Sequence, residues 1–173
     1  LFTDAKLSTT DRTEFDNIHL KAGASDNYPY AESQNNVPGC HLRDAFIQSF
    51  AWRYNLNVDV RRYAPCILFI NGEYWGVYEI REKVDADYTD YYYDRPKGQV
   101  DMLKYWGGLT INEGSDTGWV NLYNFVMTNN MADPLNYAYV DSVYNLKSLI
   151  DYYIYNTYIV NSDWINWNSA WWR

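Results

Sequence analysis

The most regular pattern of apolar and polar residues lies between positions 65 and 80. Two apolar runs, CILFI and EYWGVYEI, flank Asn71 and Gly72. An Asn-Gly pair between such runs is typical of a type I′ hairpin turn, because both turn residues adopt positive φ. The turn predicts one-to-one pairing of the two strands, which places Ile67 opposite Gly76. Both faces carry large apolar groups, so we expect the hairpin to be central or covered.

A second pattern runs from a helix into a polar loop near the end of the sequence. Apolar residues recur at helical spacing from Leu146 to Val160 and predict a buried helix. Asn145 is the expected N-cap, and Asn161 is the expected stop. Asp163 therefore lies on a loop directly after the helix.

The remaining pattern predicts a sheet-containing part followed by a mostly helical part. We expect a strand over 15–21, a long loop over 23–39, a helix over 41–54, a short helix over 86–93, a strand over 99–105, a loop over 107–118, and helices near 119 and from 134. This order of elements predicts an α+β fold.

Size and charge narrow the class of protein. A chain of 173 residues with a net charge of −8 is the length of one domain and is acidic. Acidic character argues against nucleic acid as a partner, because phosphate contacts need clustered Lys and Arg. No apolar run approaches ~20 residues, so no transmembrane segment is expected. Because the sequence starts at Leu1 without Met and stops at Arg173 in mid-pattern, we expect a fragment of a longer domain.

The cysteines and histidines give little indication of chemistry. Cys40 and Cys66 are too few for a disulfide framework and lack metal-binding spacing. Whether they pair with each other stays open. His19 and His41 are isolated, and we expect structural roles for both.

Asp163 and Asn168 have the spacing of a kinase catalytic loop. In that loop the Asp accepts the proton of the substrate hydroxyl, and the Asn holds a metal ion on the phosphates. The spacing alone is not specific, because three Asp-x4-Asn pairs occur in the sequence and roughly two are expected by chance. The alternative is a turn-forming Asp and Asn at a helix end.

Four segments resemble the CotH family, the spore coat protein H-like atypical kinases. They are LKAGASD (20–26), LRDAFIQSFA (42–51), RYAPCILFINGEYWGVYEIREKVD (62–85) and IDYYIYNTYIVNSDWINWN (150–168). NGEYWGVYEIREK and NSDWINWN are the most specific motifs. The resemblance implies a partial protein-kinase-like domain, with a sheet-containing part over 1–82 and a helical part over 83–173 that ends at the catalytic loop.

The resemblance implies a role for several side chains. Asp163 would orient the acceptor hydroxyl, and Asn168 would ligate Mg²⁺ or Mn²⁺. The candidate cofactor-binding residues are Lys21 at the ATP phosphates, Asp44 as its ion-pair partner, and Glu79 and Glu82, which lie with Arg81 at a hinge facing adenine. For Lys21 and Asp44 the alternatives are surface solvation and helix capping. A glycine loop would lie upstream of Leu1, and a second metal-binding Asp would lie beyond Arg173.

The function implied is an atypical kinase that transfers the γ-phosphate of ATP to Ser or Thr of a surface or coat protein. The same resemblance implies an extracellular or cell-surface location. We expect this chain alone to be catalytically inactive. Two alternatives remain: a non-catalytic adhesion or coat-binding module, and a pseudokinase scaffold that binds nucleotide without transfer.

Overall fold

Two units, divided between Val84 and Asp85, make up the protein. The structure, a computed structural model, describes residues 12–23, 26, 39–165 and 167–173. Each unit contains a three-stranded antiparallel sheet. The α+β prediction is confirmed.

The first unit contains one helix and one sheet. Its elements are β1 (Ile18–Lys21), α1 (Arg43–Arg53), β2 (Tyr63–Ile70) and β3 (Glu73–Glu82). The strand order is β1-β3-β2, so β3 is the central strand. Most of the predicted loop over 23–39 lies outside the described residues.

The β2–β3 hairpin turns at Asn71 and Gly72 as predicted, with φ of 51° and 83°. Its register differs from the prediction beyond the first two pairs. A bulge on β3 shifts the pairing, so that Leu68 faces Gly76 and Ile67 faces Val77. Gly76 has φ 138°, a conformation that glycine adopts far more readily than other residues. The predicted Ile67–Gly76 pair is therefore wrong by one residue.

The end of the hairpin is exposed, whereas the sequence predicts a hairpin that is central or covered. β3 is central in the sheet, yet large side chains near the turn remain more than half exposed. They are Ile67, Phe69, Tyr74, Trp75 and Val77. Of the two predicted alternatives, β3 takes the central position in the sheet, and this part of the strands is not covered.

The beginning of α1 is fixed by Asp26. The carboxylate of Asp26 accepts hydrogen bonds from the backbone N–H groups of Cys40 and Arg43, both at 2.8 Å. Burial raises the pKa of Asp26, but these two bonds and the Arg43 charge outweigh it and hold the pKa below its ordinary value. The helix therefore starts at Arg43, two residues later than predicted.

The second unit contains four helices and a second sheet among the described residues. Its elements are α2 (Ala86–Tyr93), β4 (Met102–Tyr105), β5 (Leu109–Glu113), α3 (Thr117–Thr128), α4 (Pro134–Val143), α5 (Leu146–Tyr158) and β6 (Ser169–Trp172). The strand order is β5-β4-β6. The predicted loop over 107–118 is wrong in its middle, because β5 turns back there to pair with β4.

Helix α5 is less buried than its sequence predicts. Asn145 caps the helix by accepting a 3.0 Å hydrogen bond from the backbone N–H of Ser148, as predicted. Tyr155 and Asn156 are buried, whereas Ile150 is exposed and Val160, just after the helix, is 83% exposed. The apolar stripe therefore does not face a core. Among the described residues, no helix has the length and apolar character needed to cross a bilayer.

Candidate functional site

The first group of candidate residues is joined by an ion pair between a strand and a helix. Lys21 is the last residue of β1, and Asp44 lies in the first turn of α1. The Lys21 ammonium donates a hydrogen bond to Oδ2 of Asp44. Asp44 is not the N-cap of α1, since Leu42 occupies that position. Of the sequence-based alternatives, the ion pair is the arrangement that the structure contains.

The environment of Asp44 favours its charged form. Burial raises the pKa of this carboxyl. The Lys21 hydrogen bond, the charges of Arg81 and Lys21, and the hydrogen bond from Gln48 together outweigh burial and hold the pKa below its ordinary value. Asp44 is therefore an anion at neutral pH.

Arg81 adds a second cation to this group. Its Nε donates a 2.9 Å hydrogen bond to Oε2 of Glu79, and its Nη2 lies 3.1 Å from Oδ2 of Asp44. Lys21 pairs with Glu79 across β1 and β3, so these side chains share one face of the sheet. Two cations and two carboxylates thus form a balanced network, here called the Lys21–Arg81 network, of Lys21, Asp44, Glu79 and Arg81.

Glu82 lies in a separate ion pair. Its Oε1 accepts a 2.8 Å hydrogen bond from Nη1 of Arg12, and both side chains are buried. The Arg12 guanidinium carbon lies 4.6 Å from the ring centroid of Phe15. Because β3 continues through Glu82, Glu79 and Glu82 lie within a strand rather than on a hinge loop after it. Their role beside adenine stays a prediction.

Sequence reasoning missed both arginines as partners of the candidate acids. Arg81 left a usable signal, because an arginine between two glutamates in a central strand requires buried acid partners. Arg12 left none, since it precedes every predicted element.

The second group lies on the loop after α5. Asn156, which is buried in α5, donates through Nδ2 to the carbonyl of Tyr152 at 2.8 Å. Its Oδ1 accepts a 2.8 Å hydrogen bond from Asn161 Nδ2. Asn161 Oδ1 in turn accepts a 3.1 Å hydrogen bond from the backbone N–H of Asp163. This amide chain of Asn156, Asn161 and Asp163 ties the loop to the helix.

The structure brings Asp163 and Asn168 together. Nδ2 of Asn168 lies 3.4 Å from Oδ2 of Asp163, and both side chains are exposed. Within the described part of the chain, neither residue forms an ion pair. We expect the oxygens of a metal site to be unpaired in this way, because divalent cations compete poorly with an established salt bridge.

The donor set of this loop fits a hard cation. With its amide nitrogen directed at Asp163, Asn168 keeps Oδ1 available, and Asp163 supplies carboxylate oxygens. Oxygen donors of this kind suit Mg²⁺ or Mn²⁺, which retain several waters and phosphate oxygens as further ligands. Among the described residues, no cluster of three or more His, Cys, Asp or Glu side chains forms a complete metal cage.

Chemically, the two groups supply different functions. The Lys21–Arg81 network offers one half-exposed ammonium held beside an anion, which suits phosphate oxygens. The loop offers a carboxylate that can accept a proton and an amide oxygen that can ligate a metal.

Comparison with known proteins identifies one family. The sequence model of CotH, described as CotH kinase protein, matches residues 16–173. No match was found among curated proteins or among solved structures. The match includes both groups of candidate residues and covers most of the 173-residue sequence, so the chain belongs to the CotH family.

Proposed function

We propose that this chain carries nucleotide-binding and catalytic residues of a protein kinase that transfers the γ-phosphoryl group of ATP to Ser or Thr of a surface or coat protein. The ion pair between Lys21 and Asp44 is the observation that carries the proposal. In protein kinases a strand lysine and a helix acid must pair for catalysis, because the pair positions the lysine at the phosphates. Asp44 takes the place of the usual Glu.

The chemistry of the transfer assigns one proton acceptor and one cation. Asp163 accepts the proton of the substrate hydroxyl as that oxygen bonds to the γ-phosphorus. The bond from the γ-phosphorus to its bridging oxygen breaks, and ADP leaves. Lys21 binds phosphate oxygens and offsets their charge.

Metal binding is proposed for the loop after α5, which carries both Asp163 and Asn168. Oδ1 of Asn168 would hold Mg²⁺ or Mn²⁺, and a bound metal would neutralise charge that develops on the phosphates. Glu79 and Glu82, the proposed adenine-side residues, support the site through their arginine partners.

The test is transfer of radiolabelled phosphate from ATP to protein by the intact protein, with magnesium and with manganese. Asp163→Asn should lower the rate by about 10²-fold or more, since general-base catalysis contributes roughly 10²–10⁴-fold. The matched control is Asp116→Asn, because Asp116 and Asn121 have the same Asp-x4-Asn spacing at the start of α3. The control should retain wild-type transfer.

The outcomes separate the proposal from its alternatives. If Asp163→Asn and Asp116→Asn lower the transfer rate equally, Asp163 is not the catalytic base. Metal-dependent ATP binding without transfer would identify a pseudokinase scaffold.

A non-catalytic binding module is the second candidate, and the exposed apolar residues of the β2–β3 hairpin favour it. A contiguous exposed patch of large apolar side chains commonly marks an interaction surface. If the intact protein neither binds ATP nor transfers phosphate, the result favours the binding module.

A further inference from the structure

Arg81 is one of the two most buried charged side chains among the described residues of the first unit. Its side chain is 1% exposed on the central strand β3, and its guanidinium carbon lies 5.3 Å from the ring centroid of Tyr63. Nε is hydrogen-bonded to Glu79. Nη2 is close enough to Asp44 for an ion pair but is not aligned for a hydrogen bond. Nη1 has no hydrogen-bond partner in the part of the chain that the structure describes.

Two cations share one oxygen of Asp44. Lys21 donates to Oδ2, and Arg81 Nη2 approaches the same atom, while Gln48 Nε2 donates to Oδ1 at 3.0 Å. The Lys21 side chain is 32% exposed, so its ammonium can donate to a ligand in water while it stays paired with Asp44. Arg81 is enclosed, so its separation from Asp44 would leave a buried charge without this partner.

We propose that Arg81 is a positioning residue that holds Asp44, and with it α1, so that Asp44 orients the Lys21 ammonium towards the nucleotide phosphates. The inference rests on the proposed role of Lys21. Without Arg81, Asp44 would keep only its contact with the more exposed Lys21, so the ammonium would be positioned less firmly at the phosphates. With Arg81, the negative charge stays compensated, and α1 keeps its place beside β1 and β3.

Arginine suits this role better than lysine. Its guanidinium is charged at every relevant pH and presents a rigid fork that contacts Glu79 and Asp44 together. Lysine at position 81 would carry the charge on a single nitrogen and would not reach both acids in the same geometry.

The first experiment uses no nucleotide. Hydrogen exchange of the α1 amides is measured in the wild type, Lys21→Met, Arg81→Met and Arg81→Lys. Arg81→Met should accelerate α1 exchange at least about fivefold, the lower end of typical coupling between sites. Lys21→Met should change it much less, and Arg81→Lys should fall between the two. Arg53→Met, at the exposed end of α1, is the control and should match the wild type.

If Lys21→Met accelerates exchange as much as Arg81→Met does, Arg81 is not the anchor of α1. If Arg81→Met does not fold, the comparison of Arg81→Lys with Lys21→Met decides the same question.

The second experiment measures ATP affinity with magnesium by calorimetry in the intact protein. Arg81→Met should weaken binding at least about fivefold when Lys21 is present and should have no further effect in the Lys21→Met background. A merely structural loss would weaken binding by the same factor in both backgrounds and would overturn the inference. If the wild type binds no ATP, the proposed function fails and the role for Arg81 fails with it. If the wild type binds ATP but the effects of Arg81→Met and Lys21→Met are additive, only the proposed role of Arg81 is wrong.

Discussion

Asp44 is the residue on which the charges of the first unit converge. Its carboxylate contacts Lys21, Arg81 and Gln48, and its pKa lies below the ordinary value of 3.8. A carboxyl with a lowered pKa in the folded state binds fewer protons there than in the unfolded chain. Its contribution to stability is therefore complete above the unfolded pKa and is lost as pH falls through the folded pKa.

Asp44→Asn should lower the free energy of unfolding at pH 7 by about 1–2 kcal/mol, a value reduced for the partial exposure of the pair. The difference from the wild type should shrink as the pH falls below 3.8. Urea unfolding followed by far-UV circular dichroism at pH 7 and at pH 3 measures this. Asp141→Asn, at an exposed position of α4, is the control. A difference that stays constant with pH would contradict the assignment.

Gly114 allows a close approach that no other residue tolerates. It has φ 69°, and a Cβ added there would lie 2.5 Å from the carbonyl oxygen of Val100 and 2.9 Å from the Cα of Asp101. Gly114→Ala should therefore cost about 2–4 kcal/mol, since left-handed strain adds to a backbone clash. Gly108→Ala is the matched control, because no atom lies within 4 Å of its added Cβ. Thermal unfolding of both variants checks this, and equal melting temperatures would refute it.

Individual site residues differed in how far the sequence could predict them. Asp163 and Asn168 follow a helix at a recognisable spacing, and the structure places them side by side. The pairing of Lys21 with Asp44 could be predicted only as one alternative, because it depends on how α1 packs. Arg12 could be identified only from tertiary contacts, since its buried ion pair joins residues 70 positions apart.

At the scale of elements, the loop after α5 depends on side-chain amides rather than on burial. Asn156 is buried, and Asn161 connects it to the backbone of Asp163. Each such bond contributes about 0.5–1.5 kcal/mol, and a buried amide left without a partner costs more.

Asn161→Ala should therefore destabilise the protein by about 1–3 kcal/mol, because it removes two hydrogen bonds and leaves Oδ1 of Asn156 unpaired. Hydrogen exchange of the backbone N–H of Asp163 should accelerate. Asn129→Ala is the control at the end of α3, where the side chain bonds only to its own helix and to Thr128. Unchanged exchange at Asp163 would show that the amide chain does not hold the loop.

The elements themselves were predictable where local signals are strong. The Asn-Gly turn, the cap at Asn145 and the helix over 86–93 all rest on contacts within a few residues. The bulge at Gly76 and strand β6 were missed, because each depends on pairing with a partner strand. The burial of α5 was overestimated, since apolar periodicity does not reveal how much of a helix is covered.

At the scale of the whole molecule, the net charge of −8 disfavours polyanionic partners. The protein should not bind duplex DNA at physiological salt with a dissociation constant below roughly 10⁻⁴ M, the weak end of non-specific binding. Fluorescence anisotropy with a labelled duplex measures this, with a basic DNA-binding protein as the positive control. Binding that is stronger and weakens with added salt would indicate a basic surface that the composition conceals.

The tryptophans are unequally divided between the two units, and this affects which unit intrinsic fluorescence can monitor. Of the eight, only Trp52 and Trp75 precede Val84. In the second unit, Trp119 and Trp171 lie 4.6 Å apart between ring centroids, and Trp106 and Trp167 lie 5.6 Å apart. Intrinsic emission will therefore follow mainly the second unit, so a variant that loosens the Lys21–Arg81 network in the first unit should change the emission spectrum little.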